Sequence, residues 1–293
     1  MKKNLFKVAV VLGLLAAVVV LPLRFAVAQD DTTEISAANA DPIPAAVFQA
    51  AGPTAASIQS SVDQYRAALG LQNNGNNGGP IAVGRREINW DGGSTTNQTT
   101  AVAGNPFAGF LVTRGALFTT PDGTGFVQAP ASADPILFPP GGLAGLFNNP
   151  TYGATFTAFS ASRLFAVIGG KVTDVNFFVP GGGNQPATVT GFGAVFTDVD
   201  QPDGSGPARK RGNRNASTLV EYYGVNGELL FSSFVPAAPG NGGLSFFGIV
   251  LHDARIAHVR ITSGNVALGG NDSEKDDVVA MDDFIYGEPQ PVH

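Results

Sequence analysis

Apolar and polar residues alternate in short runs along most of the chain, and one segment breaks that rhythm with a helical period. Ile58, Val62, Tyr65 and Leu69 recur at helical spacing, and Gly70 follows where a helix ends. The pattern predicts a helix and linker over residues 54–72. The apolar stripe is narrow, so the helix is expected to pack on the outside of a β domain. The Asn- and Gly-rich stretch 73–80 reads as a loop.

From residue 81 to 289 the period is two. Strand runs are expected at Arg85–Trp90, Phe110–Thr113, Ala116–Thr119, Phe126–Gln128, Phe156–Phe159, Arg163–Val167, Val172–Val179, Ala187–Val199, Leu219–Tyr223, Glu228–Phe231, Leu244–Leu251 and Ile256–Thr262. Gly, Pro and Asn turns separate them, and Val225-Asn-Gly227 is a hairpin signal. Residues 129–149, rich in Pro and Gly, predict a binding loop, a covering flap or a surface meander. About ten to twelve short strands at this spacing predict an all-β fold: a two-sheet, jelly-roll-like sandwich with one N-terminal helix outside.

The last run, Asp277–Tyr286, organises the rest. Strict alternation puts Val278, Ala280, Asp282 and Phe284 on one face and Val279, Met281, Asp283 and Ile285 on the other. Both faces are apolar up to the acids, so the strand is expected to be covered on both sides. Asp282 and Asp283, read as lying near its end, need water, a cation or backbone donors.

The first residues change the picture of where the protein works. Lys2, Lys3 and Lys7 precede the apolar run Val8–Leu23, and Ala26-Val-Ala28 is a cleavage-site pattern. A signal peptide over 1–28 and a flexible leader over 29–53 are expected, with a secreted or extracytoplasmic mature protein and no membrane span after cleavage. Losing Lys2, Lys3, Lys7 and Arg24 reduces 17 basic residues to 13 against 23 acidic ones, a net charge of −10. That charge argues against nucleic-acid binding, which depends on neutralising phosphates. The chain has no cysteine, which excludes disulfides and thiolate chemistry.

Two site readings follow. Asp198, Asp200 and Asp203, with Gly204, place three carboxylates on a strand end and turn, a donor set suited to calcium but one residue off the D-x-D-x-D-G spacing. Asp282 and Asp283 form a second acidic cluster, and residues 271–277 a third. Asp91 approaches Asp282 or Asp283 if the first and last strands of the domain are neighbours. Asp198, Asp200 and Asp203 and the Asp282–Asp283 pair are expected to share one rim of the sandwich. The second reading is a glycan surface built on Trp90, the single tryptophan, with Asn89 beside it and Tyr222. A buried core tryptophan is the plainer reading of the same residue. Tyr222 and Tyr223 point to opposite faces, so one of them is expected to be exposed. His258 and Arg260 share a face expected to meet solvent. The basic loop Arg209–Arg214 reads as solvated.

Motifs for known catalytic arrangements are missing: no H-E-x-x-H, G-x-S-x-G or G-x-x-x-x-G-K occurs. Glu87, Glu221 and Glu228 are the glutamates from which a glycosidase pair would be drawn, with no spacing that makes any two converge.

Gly84–Gly92, Thr190–Asp200, Leu244–Val250, Val259–Asn265 and Met281–Gly287 together resemble a group of uncharacterised exported bacterial proteins. The second half is similar to the β-sandwich region of PEP-CTERM-type exported proteins, without their C-terminal sorting segment. The resemblance spans about residues 57–289 and implies a secreted single-domain sandwich, with no activity to carry over. The sequence thus predicts an exported, monomeric β-sandwich that binds an extracellular glycan or matrix polymer, with calcium as a structural ion. The alternatives are a hydrolase of an extracellular polymer and a purely structural surface protein.

Overall fold

The computed structural model describes residues 44–92, 98–201, 218–252, 256–271 and 276–292, and residues 41–293 form one compact unit. The expected signal peptide, residues 29–43 of the leader, Asp203, Asp272 and the basic loop lie outside the described residues.

The alternating runs form strands. In chain order they are β1 (Ala46–Gly52), β2 (Arg85–Ile88), β3 (Ala101–Gly104), β4 (Phe107–Phe110), β5 (Ala116–Thr119) and β6 (Gly125–Ala129). Next come β7 (Leu164–Ile168), β8 (Val172–Phe177), β9 (Ala187–Thr188), β10 (Gly191–Thr197) and β11 (Leu219–Tyr223). The last are β12 (Leu229–Phe234), β13 (Leu244–Val250), β14 (His258–Thr262), β15 (Ala280–Gly287) and β16 (Gln290–Pro291).

Two antiparallel sheets face each other. The eight-stranded sheet runs β1-β13-β10-β15-β7-β6-β3, with β2 also paired to β15, and the six-stranded sheet runs β12-β11-β14-β8-β5-β4. Trp90, Phe118, Phe126, Phe165, Phe192, Tyr222, Phe284 and Tyr286 fill the space between them. This is the all-β, two-sheet sandwich that the period-two runs predict.

The predicted helix is α1 (Ala55–Leu69), and its stripe Ile58, Val62, Tyr65 and Leu69 is buried. It lies on the outer face of the eight-stranded sheet against Val195, Leu244, Phe246 and Ile285. Gly193 and Gly248 are cross-strand partners there, and a Cβ on either would meet the Tyr65 ring at 2.8 and 3.0 Å. Glycine at both positions lets a helical aromatic sit directly on the sheet. The rest of that face is covered by the Pro/Gly-rich stretch and the residues after it, which fold as a flap: Leu143, Tyr152 and Phe156 are buried against Val127, Ala166 and Ala280. The flap contains one-turn helices α3 (Gly142–Leu146) and α4 (Tyr152–Thr155), which the periodicity does not announce. Among the described residues no helix is long and apolar enough to cross a membrane.

Four expectations need correction. The leader was drawn to residue 53, but Ala46–Gly52 is strand β1, paired with β13 over its whole length. Its Ala-rich sequence has weak alternation because every second residue only half-buries. Leu111–Arg114 is a helical turn, α2, and not part of a strand. Phe156–Phe159 is not a strand, and its residues leave α4 and bring the Phe159 amide to the Asp282 carboxyl within β15. Finally, strict alternation fails along β15. Ala194 pairs with Phe284 while Phe196 pairs with Met281, so Asp282 and Asp283 together oppose the single residue Val195. This is a β-bulge, and it puts Met281 and Phe284 on the same, core side.

Candidate functional site

The outer face of the six-stranded sheet carries no helix or flap among the described residues. Its composition follows from pleating. Val220, Tyr222, Val259 and Val175 point into the core, so Glu221, Tyr223, His258, Arg260, Asp174 and Asn176 point outward. The register aligns Tyr223, His258, Asn176 and Leu117 in one row across the strands, and Glu221, Arg260, Asp174 and Thr119 in the next.

The two rows are locked together by charge and stacking. Tyr223 and His258 stack with ring centroids 5.2 Å apart and 21° between planes. The Asp174 carboxylate accepts from His258 Nε2 at 2.9 Å and from Arg260 Nε and Nη2 at 2.8 Å each. Burial pushes the Asp174 carboxyl up, but the hydrogen bonds from Arg260 and His258 outweigh it and hold the group down at about 2. Arg260 is raised in turn by its bond to Asp174. The Tyr223 hydroxyl is raised by burial and by neighbouring Glu221. Beside this row a groove of about 540 Å³ opens between the β11–β12 turn and residues 176–187, lined by Phe178, Val225, Asn176, Gln185 and His258. Aromatic rings, amide groups and a shallow apolar wall are the surface chemistry that takes a sugar ring: apolar C–H faces on the rings, hydroxyls on the amides.

Because its folded value is depressed, Asp174 contributes stability that is in place above the ordinary carboxylate value of 3.8 and is lost as pH falls toward about 2. The Asp174→Asn variant is expected to flatten the acid limb of a melting-temperature profile. An acid limb identical to wild type would show that the triad is solvent-screened and anchors nothing.

The structure relocates the residues expected to bind glycan. Trp90 is 1% exposed and cannot serve as a platform. It stacks on Phe165 at 3.9 Å and its Nε1 donates to the Asp282 carbonyl. Tyr222 is also buried, with its hydroxyl donating to the Phe192 carbonyl, so Tyr223, half-buried, is the outward-facing member of the pair. Asn89 is exposed but stands on β2's side of the molecule, apart from this face. Asp174 was missed. Its signal was the alternation Val172-Thr-Asp-Val-Asn-Phe177, in which Asp174 and Asn176 share one parity.

The aspartates read as calcium ligands divide into two groups with separate partners. At the start of β15, Asp277 accepts from the Asp200 and Gln201 amides, and Asp200 accepts from the Gly240 amide. Asp198 is buried at the same strand end, with φ +70°. Asp282 and Asp283 are not at the end of their strand but in its middle, at the bulge, where β15 exchanges β7 for β2 as neighbour. There Asp91 does approach them: the Ser160 hydroxyl lies within hydrogen-bonding distance of all three carboxyls. Among the described residues no group of three or more His, Cys, Asp or Glu is placed to hold a metal ion. Asp282 and Asp283 are 0% and 3% exposed, too deep to meet a substrate. Glu87 lies on one sheet and Glu221 on the other, with Glu228 at the turn beyond.

Compared with protein-family models, curated proteins and solved structures, the chain matches none. What the described residues define is a β-sandwich covered on one outer face and, among those residues, open on the other.

Proposed function

We propose that the mature protein is an exported, non-catalytic binding module whose open sheet face takes a saccharide of an extracellular or matrix polymer. The observation that supports this most is the stacked Tyr223–His258 pair beside an amide-lined groove. The charged groups next to it are already paired: Asp174 neutralises Arg260, so among the described residues the face offers no free cation for a polyanion. Ring stacking and hydrogen bonding, rather than charge, are then left to carry recognition, which suits a neutral sugar. The signal-like N-terminus and the net negative charge agree with export and with a partner other than nucleic acid.

A glycan array probed with the mature protein tests this. Binding to one neutral saccharide class is expected. A blank array, with binding instead to extracellular protein, would replace the glycan by a protein ligand.

A further inference from the structure

A clasp of ionisable groups joins the two covers of the eight-stranded sheet to its central strand. Helix α1 brings Arg66, whose Nη2 donates to Glu87 Oε2 at 2.9 Å and to Asp283 Oδ2 at 3.1 Å. Strand β2 brings Glu87 and Arg85, paired at 2.7 Å. The segment after α4 brings Ser160 and the amides of Phe159 and Ser160, which donate to Asp282 Oδ2 at 2.6 and 3.1 Å. The amides of Ser162 and Arg163 donate to Asp91 Oδ1 at 2.6 and 2.8 Å.

Asp282 Oδ1 also accepts from the Asp283 amide at 2.8 Å, and what a fully ionised clasp lacks is a second hydroxyl proton at Ser160. Ser160 Oγ lies 2.7 Å from Asp283 Oδ1, 3.2 Å from Asp282 Oδ1 and 3.4 Å from Asp91 Oδ2. A serine hydroxyl has one hydrogen to donate. Three carboxyl oxygens therefore converge on one hydroxyl proton, and the second and third would face a lone pair, Asp282 Oδ1 in a buried setting and Asp91 Oδ2 in a half-buried one. Charge counting gives the same deficit. The carboxyls are Asp91, Asp282, Asp283 and Glu87; the guanidiniums are Arg66, Arg85 and Arg163, the last acting on Asp91 through space. Asp63 touches Arg66 from the solvent side, with its side chain 58% exposed, so water screens its negative charge and it stays outside the count. Four negative groups against three positive ones balance when one carboxyl is neutral.

We propose that Asp282 and Asp283 hold one proton between them at neutral pH, relayed through the Ser160 hydroxyl, so that the clasp is intact in neutral and mildly acidic media and loosens in alkali. With the proton on Asp282 Oδ1, that oxygen donates to Ser160 Oγ, and the hydroxyl's own hydrogen is free for Asp283 Oδ1. Asp283 stays ionised against Arg66. Burial and then the Asp283 charge hold Asp282 well above the usual carboxylate range, and burial raises Asp283 as well. Because the folded pair binds the proton more tightly than the unfolded chain, its stabilising effect is present at low pH and is lost as pH rises through the folded midpoint.

The test is a carbon-13 carboxyl NMR titration of aspartate-labelled full-length mature protein, run beside thermal melts. One aspartic carboxyl is expected to remain protonated at neutral pH, and the melting temperature to fall by about 3–5 °C per pH unit once it ionises. Asp282→Asn, which cannot ionise, is expected to lose that alkaline slope. If the variant does not fold, the wild-type titration decides alone. The proposal is overturned if every aspartate is ionised at neutral pH. It is also overturned if millimolar calcium, compared with chelator, shifts the Asp282 and Asp283 resonances and raises the melting temperature, since a cation would then occupy the proton's place.

Discussion

Trp90→Ala is expected to destabilise the protein by about 3–5 kcal/mol, the range for removing a large aromatic from a packed core. The ring is stacked on Phe165 with 5° between planes and meets Phe284, Phe118 and Phe110 at 5.0, 5.5 and 5.6 Å. It fills the place where β7 gives way to β2 along β15, so no neighbouring strand can close the cavity. Its Nε1 bond to the Asp282 carbonyl is lost too, leaving that acceptor at the bulge without this donor. Urea denaturation followed by circular dichroism measures the loss, because the substitution removes the single tryptophan. Trp90→Phe keeps most of the volume and is expected to fall between wild type and alanine. A cost under about 1 kcal/mol for alanine would place the ring at the surface and restore it as a sugar platform.

Glu288→Ala is expected to cost about 3–5 kcal/mol, because it leaves a buried guanidinium without its anion. Arg86 is fully buried and donates from Nε and Nη2 to the two Glu288 oxygens at 2.7 Å each. Its Nη1 holds the carbonyls of Gly75 and Thr113, so the same side chain pins the Asn-rich loop and α2. Asn74 adds a donor to Glu288 Oε2 at 2.8 Å. Replacing both partners by Arg86→Met with Glu288→Leu removes the charge and its counter-charge together, and is expected to recover most of the loss. Chemical denaturation of the two singles and the double gives the coupling directly. A double variant as unstable as the sum of the singles would show that Arg86 acts by packing and loop contacts alone.

The sequence was most legible where one face is buried and the strand is regular. Leu219–Tyr223 and Ala116–Thr119 occupy the residues that alternation assigns them. The helical stripe found its place because Ile58, Val62, Tyr65 and Leu69 leave no other face to bury. The approach of Asp91 to Asp282 and Asp283 followed from pairing the first and last strands. Alternation carries no mark of an inserted residue, and so the bulge at Asp282–Asp283 was invisible and the parity of β15 was read wrongly beyond it. For the candidate site the signal was present but read from the wrong residue. Glu221 shares parity with Tyr223, and a glutamate seldom faces a core, so the pair already said which tyrosine is outside. Trp90 attracted attention by its chemistry, while its position two residues after buried Ile88 placed it inside. The Asp174–Arg260–His258 triad joins strands far apart in sequence, and only the register brings them together.

The open face is tested most directly by affinity electrophoresis through gels containing a saccharide polymer chosen from the array. Wild type, Tyr223→Ala, His258→Ala and Asp63→Ala are run side by side, Asp63 being on α1 and far from the six-stranded sheet's outer face. Tyr223→Ala and His258→Ala are expected to lose retardation by about tenfold or more in affinity, the scale of one base- or sugar-sized ring contact worth roughly 1.4 kcal/mol, while Asp63→Ala migrates like wild type. Equal retardation of all four proteins would contradict the assignment of binding to this face.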